Sequence, residues 1–196
     1  MKILGLTGPT GAGKGEVARR LAKAGALIVD TDRIAREVVE KGQPCLAALA
    51  EAFGENILQA DGSLDRAALA AAAFSSPEGS ALLSRITHPF IIARSLEILN
   101  HSTADRAVID APLMFESGMD AYSDTTVAVL APAEERLRRI MARDGIAEDR
   151  AVLRMNAQPA EAFYRERAAY TIENDRDEQA LDEAVQALVG AVWEET

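Results

Sequence analysis

The chain reads as an α/β protein of three layers, a five-stranded parallel sheet between helices, carrying a helical insertion and a lid. Three observations predict this. Short apolar runs that suit buried strands recur between helical patterns. The first of these runs passes directly into a glycine-rich turn and then a helix. A long stretch after the second run is helical in pattern throughout.

The first strand covers roughly residues 2–7 and is apolar on both faces, as the centre of a parallel sheet requires. A helix runs from about Lys14 to Ala24, where Gly25 is a left-handed stop. Ala26-Leu27-Ile28-Val29-Asp30 is a second buried strand, parallel to the first because a helical crossover joins them. From Thr31 to about His101 no strand is evident. Helical patterns cover residues 34–40, 43–53, 65–74, 77–87 and 89–100, and His88-Pro89 is expected to break the last two apart, since proline disfavours helical geometry in the preceding residue. Residues 106–110 resume the sheet and lead into Ala111-Pro112-Leu113-Met114-Phe115-Glu116. Residues 125–130 and 170–172 complete it. The helix over 133–143 and a last helix from about Asp177, burying Leu181, Val185, Leu188 and Val192, close the pattern. The expected organisation is a core of 1–30, 104–135 and 168–196, an acceptor-binding insertion of 31–103, and a lid of 136–167.

Composition narrows the partners. The 196 residues carry a formal charge of −10, which argues against a nucleic-acid backbone as ligand. The single cysteine, Cys45, and two histidines, His88 and His101, supply neither a disulfide framework nor a thiolate or histidine-rich metal centre. No apolar stretch has the length of a membrane span or a signal-peptide core. A cytoplasmic protein, monomeric or weakly self-associating, is expected.

The chemistry starts at Gly8-Pro9-Thr10-Gly11-Ala12-Gly13-Lys14-Gly15, which has the G-x-x-x-x-G-K spacing of a phosphate-binding loop. Gly11 and Gly13 permit backbone conformations that aim successive N–H groups at one anion. The helix that follows adds its unsatisfied N–H groups, and Lys14 adds a cation. The residue after the lysine, where a hydroxyl for magnesium is usual, is Gly15, followed by Glu16. At the end of the second strand, Asp30-Thr31-Asp32 puts two acids on one side of the chain by strand alternation. Asp32 suits the proton acceptor or magnesium-orienting acid of a phosphotransferase, although either aspartate also suits the cap of the next helix. Asp110 ends an apolar strand and is either a magnesium-directed acid or a turn residue. Arg136, Arg139 and Arg143 share one helix face, which is either a solvated, salt-bridged surface or part of a lid over ATP. Arg139 and Arg143 are assigned to the lid and Arg136 to the surface.

Together these segments resemble dephospho-coenzyme A kinase. The resemblance rests on Gly5-Leu6-Thr7-Gly8 leading to Gly13-Lys14, on Asp30-Thr31-Asp32-Arg33-Ile34-Ala35-Arg36-Glu37-Val38-Val39, on His88-Pro89, and on Pro112-Leu113-Met114-Phe115-Glu116. It extends through Arg139, Arg143-Asp144-Gly145, Gln158 and Ile172-Glu173-Asn174, and so spans nearly the whole chain. It implies transfer of the γ-phosphoryl of ATP, with Mg2+, to the 3′-hydroxyl of dephospho-coenzyme A, the last step of coenzyme A synthesis. It implies Asp32 as the base, with Lys14, Arg139 and Arg143 also catalytic. Gly11, Ala12, Gly13, Lys14, Gly15 and Glu16 would cradle the triphosphate, and Asn174 would lie near the adenine. Arg36, His88, Leu113, Phe115 and Glu116 would form the acceptor side, and Asp32 and Asp110 would serve the metal. The chain departs from the family pattern at Gly15-Glu16, where Ser-Thr is usual, and at Pro9, Ala169 and Asp175-Arg176. Adenylate kinases also have glycine after the lysine. The acceptor-loop pattern of a nucleoside monophosphate kinase is missing, and neither Asn-Lys-x-Asp nor the Asp-x-x-Gly of a switch-type nucleotide-binding protein occurs.

Overall fold

The computed structural model describes residues 1–194 and the side chains as far as Trp193, so the last two residues of the expected 168–196 core segment lie outside it. The chain divides into two compact units, Met1–Val29 together with the chain from Thr103 onward, and Asp30–Ser102.

The first unit is built on the sheet. Strands β1 (Lys2–Thr7), β2 (Leu27–Asp30), β3 (Arg106–Asp110), β4 (Thr125–Leu130) and β5 (Tyr170–Glu173) lie in the order β2-β3-β1-β4-β5. The pairings of β1 with β3, β1 with β4, and β4 with β5 are all parallel. The central strand is apolar throughout because both its faces are covered. Leu4 and Leu6 of β1, with Val127 and Val129 of β4, join Val17 and Leu21 of helix α1 (Lys14–Lys23). Leu181, Val185 and Leu188 of the last helix complete this cluster. On the other face Ala128 and Leu130 meet Tyr164, with Phe115 and Phe163 beside them. The two-residue period of β4 sorts its side chains between these two clusters.

The second unit is helical: α2 (Thr31–Glu37), α3 (Pro44–Phe53), α4 (Arg66–Ala73) and α5 (Pro77–Asn100). Its starts are written in the sequence as caps. Asp30 accepts from Asp32 N at 2.9 Å and Arg33 N at 3.1 Å, Asp65 accepts from Ala67 N and Ala68 N at 3.0 Å, and Ser76 accepts from Gly79 N at 3.1 Å. Two expectations are corrected here. First, His88-Pro89 is no break: α5 runs unbroken for 24 residues with Pro89 inside it. Helices α2, α3 and α4 all pack on α5, and their burial outweighs the roughly 3 kcal/mol that an interior proline costs. Second, Asp32 does not continue a strand. The chain turns helical at Thr31, so strand alternation stops at Asp30, which takes the cap, and Asp32 stands exposed in the first turn of α2.

Helices α6 (Ala133–Asp144), α7 (Glu148–Asn156), α8 (Glu161–Arg167) and α9 (Glu178–Val189) complete the first unit, with α9 packed on α1 and α8 on β4. Residues 111–118 form turns rather than strand, held by Ser117 Oγ to Leu113 O at 2.7 Å and Met119 N to Met114 O at 3.0 Å. Of the glycines at the end of β1, Gly8 is fixed by space as well as by its φ of 143°, because a Cβ there would run into the Val129 carbonyl of β4. Gly15 is the opposite case: a Cβ there meets nothing within 4 Å. Gly8→Ala is therefore expected to cost about 2–4 kcal/mol, read as a lower midpoint in thermal unfolding. Gly15→Ser is expected to leave the midpoint within a few degrees of the parent. A Gly15→Ser protein as unstable as Gly8→Ala would contradict the open space at that position.

Candidate active site

The loop between β1 and α1 is shaped from behind. Three of its backbone carbonyls, those of Thr10, Gly11 and Ala12, each meet a buried or half-buried side-chain donor. Arg136 Nε donates to Thr10 O at 2.9 Å. Arg139 donates through one terminal nitrogen to Gly11 O at 3.4 Å and Ala12 O at 3.3 Å, and through the other to Asn174 O at 3.1 Å. Asn174 Nδ2 donates to Ala12 O at 2.8 Å. In a planar trans peptide the carbonyl and the next N–H point in opposite directions. Donors behind the loop therefore turn the N–H groups of Gly11 and Gly13 to its inner side. Lys14 and Gly15, the first residues of α1, have no intrahelical acceptor for their own N–H groups. These groups and the positive end of α1 make an anion-binding concavity.

Two glycines are needed for that shape. Gly11 has φ 79°, and a Cβ on it would lie 2.6 Å from Arg136 O. Gly13 has φ 96°, and a Cβ there would displace the Asn174 amide. Inside the loop, Ala12 N donates to Pro9 O at 3.2 Å, and Glu16 N donates to Gly13 O at 2.9 Å. Thr10 N donates to Gln158 Oε1 at 2.7 Å.

Lys14 is paired with Asp110 at the end of β3, and both side chains are largely buried. The pairing sets a mobile cation and a carboxylate side by side at the loop. Among the described residues no three His, Cys, Asp or Glu side chains converge to hold a metal ion. A Mg2+ carried by nucleotide phosphates asks for only one or two carboxylates, and Asp110 supplies one. The donor set thus fits a cation that arrives with a nucleotide and not one caged by protein alone. Glu16 does not replace the missing hydroxyl. Its carboxylate is held by Arg19 and by Arg20, the latter at 3.1 Å, and Arg20 also pairs with Asp182 of α9.

Of the residues singled out in the sequence, Gly11, Ala12, Gly13, Lys14, Asp110, Arg139 and Asn174 come together in this first unit. Arg143 lies apart from them. Its exposed guanidinium forks onto Asp144 at 2.7 and 2.9 Å, and Asp144 also takes Arg154. The assignment of Arg136 to the surface is wrong: it is 8% exposed and holds the loop at Thr10. Its place on a face shared with Arg139 was the available signal, but a helical face alone does not say what packs on it. Gln158 was noted only as part of a resemblance, and its contact with Thr10 N was not foreseen. Leu113 is 48% exposed on the turn after β3. Nearby, Phe115 packs edge-on against Phe163 with ring centres 5.9 Å apart, and Arg167 lies over the Phe163 ring at 4.1 Å. The Tyr164 phenol, buried and near the Glu116 carboxylate, is pushed up to about 12 and stays neutral. Within the second unit Asp32 and Arg36 are exposed at the two ends of α2, and His88 is half-buried in the middle of α5.

Comparison with known proteins agrees with this geometry. The family model for dephospho-CoA kinase matches residues 2–180. A dephospho-CoA kinase of Corynebacterium glutamicum is 43% identical over 98% of this chain and 98% of its own length. One of Moorella thermoacetica is 43% identical over 100% of this chain and 92% of its own. A solved structure from Thermus thermophilus superposes with a TM-score of 0.84 at 34% identity, covering 97% of each chain. A shikimate kinase of Bacteroides thetaiotaomicron, 16% identical with a TM-score of 0.59 over 97% of each chain, shares the fold. A phosphate loop on a sheet of this order, matched along almost its whole length, places the chain in the dephospho-CoA kinase family, whose reaction is the final step of coenzyme A biosynthesis.

Proposed function

We propose that the residues named above divide the phosphoryl transfer from ATP to the 3′-hydroxyl of dephospho-coenzyme A between them. The observation that carries this is the Lys14–Asp110 pair at a loop whose carbonyls are already occupied from behind. The triphosphate lies against the loop from Gly11 to Glu16, on the N–H groups of Gly11, Gly13, Lys14 and Gly15. Lys14 exchanges its Asp110 partner for phosphate oxygens and follows the charge as it moves to the leaving ADP. Asp110 would then help to hold the Mg2+ that accompanies ATP, directly or through water. When bound, Mg2+ neutralises charge on the phosphate oxygens. Asp32 is a second acid assigned to it, through water.

The acceptor hydroxyl oxygen forms the new bond to the γ-phosphorus while the bond to the β-bridging oxygen breaks. Asp32 takes the hydroxyl proton. Its support is the family pattern and an exposed carboxylate that its neighbour Asp30, by taking the cap, leaves uncommitted. Arg139, tied to the loop and to Asn174, stabilises charge on the transferring group. Arg143 joins it from a lid of residues 136–167, giving up its fork on Asp144. Asn174 borders the adenine. Arg36, His88, Leu113, Phe115 and Glu116 bind the acceptor, with the helical insertion 31–103 as the acceptor-binding part and 1–30, 104–135 and 168–196 as the core. Among the described residues no helix is long and apolar enough to cross a membrane; a cytoplasmic monomer or weak homo-oligomer is part of the same proposal.

Release of ADP from ATP and Mg2+ is expected with dephospho-coenzyme A and not with AMP or without acceptor. Activity with AMP alone would overturn the acceptor assignment. Asp32→Asn is expected to lower kcat by about 100-fold or more, the range of general-base catalysis, while ATP binding stays within twofold of the parent by calorimetry. A variant with near-parent turnover would remove Asp32 from the proton-transfer role.

A further inference from the structure

Arg136 is a buried cation without an ion-pair partner among the described residues. It is 8% exposed, and its one side-chain hydrogen bond there is Nε to Thr10 O at 2.9 Å. The acid whose charge it feels is Glu161, and that carboxylate is bonded to Arg165. Its other polar neighbour, Tyr164, is a neutral phenol. Burial accordingly pulls the guanidinium down from its ordinary value, though an arginine so placed stays charged. A buried, unmatched charge is costly to keep. Here it sits one peptide away from the Gly11 N–H, at the entrance of a loop built to receive phosphate.

We propose that Arg136 is a positioning residue of the nucleotide site that acts in two separable ways: its Nε–H fixes the Thr10–Gly11 peptide, and its unpaired charge selects for ligands with many phosphate charges. The compensating anion is then the ligand itself. The first role needs a donor at the Nε position and no charge. The second needs charge and is felt more strongly the more phosphates are bound, because the Coulomb term scales with ligand charge. This rests on reading the loop as the ATP site, and it concerns a residue outside the group assigned to catalysis above.

Glutamine separates the two roles, since its Nε2 occupies the same place along the side chain as arginine Nε but carries no charge. Binding of ATP, ADP and AMP to the parent, Arg136→Gln and Arg136→Lys would be measured by titration calorimetry without metal, beside thermal unfolding of the ligand-free proteins. Arg136→Gln is expected to bind ATP and ADP roughly tenfold more weakly, AMP less than threefold more weakly, and to unfold at or above the parent midpoint. Arg136→Lys, which keeps the charge but has no donor at the Nε position, is expected to weaken all three by a similar factor and so to keep the parent's preference for ATP and ADP over AMP. Equal losses for all three nucleotides in Arg136→Gln, no loss at all, or an Arg136→Lys protein that loses the preference for ATP and ADP over AMP as Arg136→Gln does would overturn the charge role. An Arg136→Gln protein that does not fold would do the same by making Arg136 architectural. A parent protein that binds none of the three would instead overturn the nucleotide-site reading, and the two failures are thus told apart.

Discussion

The site depends on what happens to three carbonyl groups. Thr10, Gly11 and Ala12 would each present an oxygen lone pair to a bound phosphate if their peptides were free to turn. Arg136, Arg139 and Asn174 take up those oxygens from the far side. The same bonds orient the opposing N–H groups, so one set of donors both removes repulsion and supplies attraction. This arrangement requires glycine at positions 11 and 13, because the elements that bring the donors come so close that a Cβ has no room. It also requires α6 and the end of β5 to be seated against the loop, and Ile172 of β5 is anchored in the same apolar cluster as β1 and β4.

Charge within the first unit follows from that constraint. A loop rich in inward N–H groups, beside Lys14, Arg136 and Arg139, would be strongly positive in a protein whose formal charge is −10. Asp110 offsets Lys14 before ligand arrives, and Glu16 is drawn off by Arg19 and Arg20 onto the helix surface. The position that usually brings a hydroxyl to the cation is an open glycine in this chain. A cation brought by a nucleotide would, on the proposal above, rest on the nucleotide's own oxygens and on carboxylates, the ligands Mg2+ takes at phosphate sites. Arg143, paired with Asp144 on the surface, has a local partner to leave before it can serve a substrate.

Much of this was legible in the sequence for physical reasons that can be named. Four of the five strands were visible as short, largely apolar runs, and β5 by its aromatic and β-branched Tyr170-Thr171-Ile172. The phosphate loop was visible because glycine spacing and a lysine determine its backbone almost alone. The helix cap at Ser76 was similarly local. What escaped was non-local. Pro89 reads as a break until three helices are known to pack against α5. Asp30 and Asp32 look equivalent until the cap is assigned. Arg136 looks like any arginine on a charged helix, and only the packing of α6 against Gly11 shows that it is buried. Gln158 reaches Thr10 from a turn after α7, a contact across 148 residues that no pattern in the chain announces.

The central claim is that the phosphate loop is built before its ligand arrives. The most direct test is 15N relaxation of the Gly11, Ala12, Gly13, Lys14 and Gly15 amides in the nucleotide-free protein and again with ADP. A loop held from behind gives order parameters near the rigid value of about 0.85 in both states. Values below about 0.6, or exchange-broadened amides that sharpen only with ADP, would show that the ligand makes the loop and would contradict it.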